Sequence, residues 1–302
     1  MQNLIAQLKS AGFTPDQICE NEPMSRHTTM KVGGAADLLV KPASVAQIQS
    51  ALSIAKELGV KSYVIGNGSN LIVRDGGIRG IVVQLGESFS TVKCDGTKIF
   101  AQAGAKLSAV AVCAQKNALT GLEFAHGIPG TVGGGVAMNA GAYGGELKDV
   151  IASVIVLSGE EIKTYSCSEM EFGYRTSRAL HNREIVLSAA FSLTPGNGDE
   201  IISKMNELNA RRRDKQPLNY PSSGSTFKRP EGHFAGALIE QCGLKGHLVG
   251  GAMVSAKHAN FVVNTGVATA DDVLTLIDEI KETVRVESGV ALECEVRIIG
   301  EA

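Results

Sequence analysis

The sequence predicts an α+β fold, and three observations support this prediction. The 302 residues suffice for two domains or three small ones, at ~100–200 residues per domain. Strand-like and helix-like segments alternate along the chain, but no GxGxxG motif opens a helix, so the fingerprint of a doubly wound dinucleotide-binding sheet is absent. Glycine accounts for 35 of the 302 residues, about 12% against an average near ~7%. This excess indicates segments where a ligand or another part of the chain lies close to the backbone.

The N-terminal part predicts a brace followed by a strand–helix–strand unit. An amphipathic pattern over residues 2–11 predicts a short helix, and residues 1–29 form an N-terminal helical brace. Residues 35–42 predict a strand, after which the capping box Ser44-x-x-Gln47 begins a helix with apolar residues at helical spacing. Residues 62–65 predict a strand that ends in a loop of glycine, asparagine and serine.

The remaining segments predict a second α+β block and a C-terminal domain. The predicted elements are strands over 78–85, 98–103, 154–157 and 185–193, a helix over 109–116, helices over 199–213 and 271–286, and a closing strand over 292–299. We place the main domain boundary at Thr194–Gly198, because this segment packs turn-forming residues between a strand and a helix. The predicted organisation is a region of two subdomains, about 30–87 and 88–193, and a C-terminal domain over 200–302.

Composition and charge exclude several classes of protein. With Lys+Arg 29 and Asp+Glu 31 the net charge is −2, so we expect neither nucleic acid nor a membrane as a partner. The six cysteines lack CxxC pairing, and His27, His126 and His258 lack metal-ligand spacing, so we expect reduced thiols, a cytoplasmic location and no metal site. We interpret the basic run Arg211–Lys215 as a solvated helix end.

Two glycine-rich segments are the strongest candidates for ligand binding. The first is the loop Gly66–Asn70, and the second is Gly127–Gly145, an uncharged stretch in which 8 of 19 residues are glycine. The second stretch is long enough to span a membrane, but its glycine content argues against both a helix and partition into lipid. Small residues allow backbone N–H groups to converge on an anion, so the two loops predict one long pyrophosphate-bearing cofactor held by both.

A set of motifs resembles a known family. The motifs are HTTMKVGG (27–34), GNGSNL (66–71), GIPGTVGG (127–134), MNAGAYG (138–144), GYRTS (173–177), PSSGSTFKRP (221–230), ALIE (237–240), GLKG (243–246), KHANF (257–261) and EVRIIG (295–300). The N-terminal motifs look like the FAD-binding domain of vanillyl-alcohol-oxidase-type flavoproteins. The whole set, in order over nearly the whole chain, is similar to bacterial UDP-N-acetylenolpyruvoylglucosamine reductases (UDP-N-acetylmuramate dehydrogenases) of the shorter type. Cys294 stands where many relatives have proline, and we expect it to alter strand stiffness rather than chemistry.

The resemblance implies an activity and its cofactors. It implies FAD-mediated, NADPH-dependent reduction of UDP-N-acetylglucosamine enolpyruvate to UDP-N-acetylmuramate in peptidoglycan synthesis, hence a role in cell-wall biogenesis, cell shape and cell division. A hydride from N5 of the reduced flavin would add to the vinyl carbon, and an acid would protonate the carbon next to the carboxylate. The FAD is expected to be non-covalent and the protein a monomer.

The resemblance also assigns roles to residues of this chain. The implied catalytic residues are Arg175 and Glu295, which would flank the substrate carboxylate, and Ser225, which would deliver the proton. Because Glu295 would repel that carboxylate if ionised, we expect it to be protonated or bridged by Arg175 or Arg297. The implied cofactor-binding residues are Gly66, Asn67, Gly68, Ser69, Asn70, Gly130, Thr131, Gly133, Gly134, Ala137, Asn139 and Gly141. The implied substrate-binding residues are Tyr174, Lys228, Arg229 and Lys245.

Two other functions are compatible with the glycine-rich loops alone. One is a different FAD-dependent oxidase or dehydrogenase of the same fold, and the other is a non-catalytic flavin-binding or nucleotide-binding protein. The motifs GYRTS and GSTFKRP argue against another oxidase or dehydrogenase. A non-catalytic binding protein would have little need for Arg175, Ser225 and Glu295. Taken singly, these three residues have ordinary structural explanations: a salt bridge for Arg175, a turn for Ser225 and an exposed strand face for Glu295.

Overall fold

The computed structural model describes all of residues 1–302. The helices are α1 (Gln2–Ser10), α2 (Val45–Glu57), α3 (Leu107–Lys116), α4 (Val132–Ala137), α5 (Arg178–His181), α6 (Gly198–Lys215), α7 (Ala235–Gln241) and α8 (Ala270–Ser288). The strands are β1 (Ile18–Pro23), β2 (Ala35–Val40), β3 (Ser62–Ile65), β4 (Leu71–Val73), β5 (Ile78–Gln84), β6 (Val92–Asp95), β7 (Lys98–Gln102), β8 (Leu119–Thr120), β9 (Gly141–Ala142), β10 (Gly145–Glu146), β11 (Ile151–Ser158), β12 (Glu161–Ser166), β13 (Ile185–Ser192), β14 (Thr194–Pro195), β15 (Leu248–Val249), β16 (Ala252–Val254), β17 (Val262–Asn264) and β18 (Arg297–Ile299). Helices and strands are mixed along the chain, which confirms the predicted α+β class.

The chain divides into two compact units, each discontinuous in sequence. The first unit comprises Met1–Cys19, Leu39–Asn67 and Val82–Arg212. The second unit comprises Glu20–Leu38, Gly68–Ile81 and Arg213–Ala302. The predicted boundary at Thr194–Gly198 lies inside the first unit, because composition marks turns along the chain and does not report which distant segments pack together. The domain ranges given above remain a prediction.

The first unit is built on a five-stranded antiparallel sheet of order β12-β11-β13-β7-β6. Helices α3 and α4 pack against it, and alternate residues of β7, such as Ile99 and Ala101, are buried. Residues of the other register are exposed, including Phe100, Ile155 and Ile162. Burial on one face and solvent on the other explains why these strands show an alternating pattern in the sequence.

The second unit is built around α8. The buried face of α8 includes Val273, Ile277, Ile280 and Val284, which belong to one cluster with apolar residues of the three-stranded sheet β15-β16-β17. Thr269 caps the helix through its hydroxyl, which accepts a hydrogen bond from the Asp272 N–H at 3.0 Å. Strand β4 pairs in parallel with β18, so an early segment and the end of the chain share one two-stranded sheet.

A further sheet has four strands in the order β1-β2-β5-β3, and the remaining sheets are small. The pairs β9 with β10 and β8 with β14 are antiparallel. The second of these pairs corrects the prediction of a linker at Thr194–Gly198, because Thr194 and Pro195 pair with Thr120 and Leu119.

Two further predictions of local structure are wrong. Gly127–Gly145 contains the helix α4, because its glycines let the helix approach its neighbours: a Cβ on Gly133 would lie 3.0 Å from the Ala103 Cβ. Close packing therefore outweighs the low helix propensity of glycine, about 1 kcal/mol per residue relative to alanine. The closing strand is Arg297–Ile299, shorter than the predicted range 292–299. The apolar alternation in that range reflects burial of Leu292 and Val296 in the core of the second unit.

No helix of the structure is both long enough and apolar enough to span a bilayer. All six cysteine thiols are free, and each is partly exposed.

Candidate active site

The two glycine-rich loops contact each other within the first unit. The Asn67 side chain donates a hydrogen bond from Nδ2 to the Pro129 carbonyl at 2.8 Å. Gly66 lies so close to Thr131 that a Cβ at position 66 would overlap the Thr131 Oγ1 atom. Thr131 is 4% exposed, and its Oγ1 is buried without a hydrogen-bond partner. A buried hydroxyl without a partner costs ~1–3 kcal/mol, so the junction of the two loops leaves a polar group to be satisfied by a ligand.

The glycines of the second loop serve two different purposes. Gly135 packs against Leu107 and Leu147, and a Cβ on Gly145 would lie 2.6 Å from the Phe124 ring. These glycines allow the chain to fold closely on itself, a use the sequence does not distinguish from ligand binding. Gly134 is exposed, and a Cβ there would meet nothing closer than the Thr131 Oγ1 at 3.9 Å. Gly134 is therefore the glycine of α4 that leaves space for a ligand.

Few backbone N–H groups at the start of α4 remain for an anion. The Val132 N–H donates to the Ala105 carbonyl and the Gly133 N–H to the Ala103 carbonyl, both at 2.8 Å. The expected convergence of N–H groups on a phosphate therefore does not extend to these two residues. The Gly130 carbonyl accepts a hydrogen bond from the Leu107 N–H at 3.0 Å, which fixes the backbone before α4.

The last part of the first loop belongs to the second unit. Gly68 is buried at a φ of +61°, and a Cβ there would overlap the His27 carbonyl, so this position requires glycine. Ser69 is half-buried. Asn70 donates from Nδ2 to the Glu295 carbonyl at 3.0 Å, and its own carbonyl accepts from the Arg297 N–H at 3.0 Å. The implied cofactor residue Asn70 thus also fixes the backbone of an implied catalytic residue.

Arg175 lies at the tip of a tight turn in the first unit. Gly173 and Thr176 exchange backbone hydrogen bonds of 3.1 Å and 3.4 Å, which closes a two-residue turn over Tyr174 and Arg175. Arg175 has a φ of +55°, a conformation that glycine ordinarily supplies in such turns. Its guanidinium carbon lies 5.2 Å from the Tyr174 ring centroid, and Tyr174 is 52% exposed. The turn therefore presents a cation and an aromatic ring side by side.

A short antiparallel ladder in the second unit pairs the backbone of Glu295 with that of Thr226, the residue after Ser225. The Glu295 N–H donates to the Thr226 carbonyl, and the Lys228 N–H donates to the Glu293 carbonyl, both at 2.8 Å. These bonds enclose a bridge between Phe227 and Cys294, so Ser225 lies directly before the residue that pairs with Glu295. In this register the Cys294 N–H is directed away from the partner segment, so a residue without an N–H at this position would leave the ladder intact.

The side chain of Asn260 holds the backbone of this ladder by hydrogen bonds. Asn260 is not among the site residues predicted from the sequence. Its Oδ1 accepts from the Phe227 N–H at 3.0 Å, and its Nδ2 donates to the Phe227 carbonyl at 2.9 Å. Its own carbonyl accepts from the Thr226 N–H at 2.8 Å. Asn260 lies within the KHANF motif, so the motif signals its importance while the contact itself becomes visible only in the fold.

Three implied substrate-binding cations already have partners. Lys228 forms a close ion pair with Glu293, and the Lys245 ammonium lies 2.6 Å from the Glu240 carboxylate. The guanidinium carbon of Arg229 lies 4.1 Å from the Phe234 ring centroid, and Phe234 is 61% exposed. A pyrophosphate approaching either lysine would therefore compete with a carboxylate that is already bound there.

The basic run Arg211–Lys215 is not entirely a solvated helix end. Arg212 is half-buried and donates to the Gly127 carbonyl in a close contact, and burial lowers its pKa from the ordinary value. One turn earlier on α6, the Asn209 Nδ2 lies 2.6 Å from the His126 Nδ1. The end of α6 therefore fixes the start of the second glycine-rich loop.

Comparison with known proteins decides the family. A model of the UDP-N-acetylenolpyruvoylglucosamine reductase C-terminal domain matches residues 216–299, and a model of an FAD binding domain matches residues 36–163. A UDP-N-acetylenolpyruvoylglucosamine reductase of Clostridioides difficile is 50% identical over 290 residues, which cover 96% of this chain and 95% of the relative. The chain belongs to the UDP-N-acetylenolpyruvoylglucosamine reductase family. It is therefore an FAD-dependent oxidoreductase of peptidoglycan precursor synthesis.

Other members of the UDP-N-acetylenolpyruvoylglucosamine reductase family agree in sequence and in fold. A reductase of Caldanaerobacter subterraneus is 51% identical over 282 residues, 93% of each chain. The crystal structure of the reductase from Thermus caldophilus covers 91% of this chain and 97% of its own, with a TM-score of 0.79 and 36% identity. An alkyldihydroxyacetonephosphate synthase, 16% identical with a TM-score of 0.51 over 65% of this chain and 41% of its own, shares the fold alone.

Proposed function

We propose that this chain reduces the enolpyruvyl ether of UDP-N-acetylglucosamine enolpyruvate to the lactyl ether of UDP-N-acetylmuramate, with NADPH as the reductant. Family membership supports the assignment of this substrate. The structural observation that supports the proposed roles is the short ladder in which the Glu295 backbone pairs with that of Thr226, the residue after Ser225. The reaction adds a hydride and a proton across a carbon–carbon double bond. A bound FAD would supply the hydride carrier between NADPH and the substrate.

The loop residues fit a bound FAD. Thr131 offers a buried hydroxyl without a partner, and Gly134 leaves open space beside it. The resemblance also implies contacts from Gly66, Asn67, Gly68, Ser69, Asn70, Gly130, Gly133, Ala137 and Gly141. NADPH and the nucleotide sugar would use the same flavin in turn, so NADP⁺ leaves before the second substrate enters.

The three implied catalytic residues have distinct roles in this proposal. Arg175 holds the substrate carboxylate, because its planar guanidinium group can donate two hydrogen bonds to that carboxylate as negative charge accumulates on it. Ser225 delivers the proton to the carbon next to the carboxylate. Glu295 stabilises the same region in protonated form or bridged by an arginine. Tyr174, Lys228, Arg229 and Lys245 are proposed to bind the nucleotide sugar, the lysines after release from Glu293 and Glu240.

The test separates the two halves of the reaction in the flavin spectrum under anaerobic conditions. NADPH should bleach the flavin absorbance of both the wild type and Ser225→Ala, and the enolpyruvyl nucleotide should restore it quickly in the wild type. In Ser225→Ala the second step should slow by ~10²–10⁴-fold, the usual contribution of a general acid. Ser222→Ala, the same change three residues earlier, is the control and should behave as the wild type.

Two outcomes would contradict the proposal. Restoration of the absorbance in Ser225→Ala at the wild-type rate would remove Ser225 as the proton donor. A wild-type flavin that NADPH bleaches but that recovers only with oxygen would indicate an oxidase instead. The cytoplasmic location and the monomeric state remain predictions.

A further inference from the structure

Asn139 is a buried amide whose donors are both used inside the first unit. Its side chain is 1% exposed, and its Nδ2 donates to the Glu146 Oε2 at 2.7 Å and to the Gly173 carbonyl at 3.1 Å. Its Oδ1 accepts a hydrogen bond from the Lys148 N–H at 3.0 Å. An amide with this set of partners has one orientation only, since rotation by half a turn would place its oxygen against two other acceptors. Any contact of position 139 with a flavin therefore falls to its backbone.

The contacts of Asn139 reach the turn that carries Arg175. Gly173, whose carbonyl accepts from Asn139, is the residue that closes this turn with Thr176. On the far side of the turn, Ser177 is fully buried and donates from Oγ to the Ala137 carbonyl at 2.8 Å. The segment 137–139 thus holds both ends of the turn. This restraint opposes the energetic cost of the left-handed conformation of Arg175, whose φ is +55°.

Glu146 determines the orientation of the Asn139 amide. The Glu146 Oε2 accepts from Asn139 and lies 3.0 Å from the Lys148 ammonium. Lys148 lowers the pKa of Glu146 below its ordinary value, and Asn139 and the charge of Arg175 act in the same direction, while burial opposes them. Glu146 is therefore a carboxylate at neutral pH, and it fixes the amide hydrogens of Asn139 towards itself and towards Gly173.

We propose that Asn139, oriented by Glu146, is a positioning residue that holds the Gly173–Thr176 turn and so places the Arg175 guanidinium for the reaction. This inference rests on the proposed role of Arg175 at the substrate carboxylate. Asn139 acts through Arg175 and does not itself touch the reacting atoms. It therefore affects the step in which the nucleotide sugar is reduced and leaves the step in which NADPH reduces the flavin unchanged.

The experiment measures the two half-reactions in Asn139→Asp. The new carboxylate would face the Glu146 carboxylate and the Gly173 carbonyl, so the turn loses its donor and shifts. We expect oxidation of the reduced flavin by the enolpyruvyl nucleotide to slow by about 10²-fold, as for a misplacement near 1 Å. Reduction by NADPH and the flavin content should match the wild type.

Two further variants keep the test decisive. Glu146→Gln removes the fixed carboxylate at a half-exposed site, so it folds even if Asn139→Asp does not, and it should slow the same half-reaction to a smaller extent. Asn117→Asp is the matched control, because the Asn117 Nδ2 also donates to a backbone carbonyl, that of Cys113 at 2.8 Å, but on the exposed end of α3. It should behave as the wild type in both half-reactions.

The outcomes separate this inference from the proposed function. The proposed function fails if the wild-type reduced flavin is not oxidised by the enolpyruvyl nucleotide. The inference alone fails if Arg175→Lys slows that step while the folded position-139 or position-146 variant does not, or if both half-reactions slow equally. In a protein that already carries Arg175→Lys, the change at position 139 should add nothing further, and an undiminished additional loss would also overturn the inference.

Discussion

At the scale of single residues, burial determines the protonation of His258. Its Nδ1 accepts from the Asn260 N–H at 3.2 Å, and its ring centroid lies 5.0 Å from that of Phe261. Burial lowers the pKa of His258, and the charge of Lys245 lowers it further, while a backbone hydrogen bond and Glu240 oppose the shift. His258 is therefore neutral at pH 7. It lies two residues before Asn260, which holds the ladder between Phe227 and Cys294.

This pKa shift predicts a pH dependence of stability. The folded-state pKa lies below the unfolded value of about 6.5, so the unfolded chain binds more protons as the pH falls through that value. The free energy of unfolding should therefore decrease as the pH is lowered from about 7 towards 5. Urea titrations across this range would measure it. His258→Gln should show a shallower decrease, and an unchanged slope would contradict the assignment to His258.

At the scale of elements, the second glycine-rich loop depends on close packing of its glycines. Gly145 starts β10, which pairs with β9, and a Cβ at this position would enter the Phe124 ring at 2.6 Å. Phe124 is buried, so an added methyl group at position 145 would overpack this part of the core. The geometry of the loop is thus set by protein contacts before any ligand binds.

Gly145→Ala should therefore lower the free energy of unfolding by ~1–3 kcal/mol, the usual cost of overpacking. Gly198→Ala is the matched control, because position 198 opens α6 and a Cβ there meets nothing within 4 Å. Chemical denaturation of both variants would measure the difference. Equal stability of the two variants would show that the loop can adjust around an added methyl group.

The sequence predicts elements whose signals are local. The N-cap at Ser44 is an example, since its hydroxyl accepts from the Gln47 N–H at 3.2 Å at the start of α2. The second bond of the predicted capping box differs, because the Gln47 Oε1 accepts from the Ala43 N–H instead of the Ser44 N–H. Motif resemblance also predicts the family, which the comparisons confirm. The role of Asn139 could not be predicted, because it depends on Glu146 and on Gly173, which lies 34 residues away.

At the scale of the whole molecule, the second unit needs three separate segments of the chain. Its apolar core combines Met30, Val32 and Ile72 with residues of the C-terminal segment. The Asp75 carboxylate accepts from the N–H groups of Ala270 and Asp271, both at 2.9 Å, at the start of α8. The C-terminal segment therefore lacks part of its core and a helix cap when it is separated from residues 20–81.

A fragment of residues 200–302, the predicted C-terminal domain, should consequently not fold alone. We expect the circular dichroism of a largely unfolded chain with no cooperative thermal transition, because the fragment also loses β4, the partner of β18. The full chain is the reference. A cooperative transition in the fragment would show that residues 20–38 and 68–81 are dispensable for its core.

The parallel pairing of β4 with β18 has a consequence for inheritance. The codons for these strands lie at distant places in the gene, yet their products must match register residue by residue, Leu71 with Arg297 and Val73 with Ile299. A recombination event that exchanged only the last third of the gene between two relatives would unite strands that had diverged separately. Productive exchange between species should therefore transfer the gene whole.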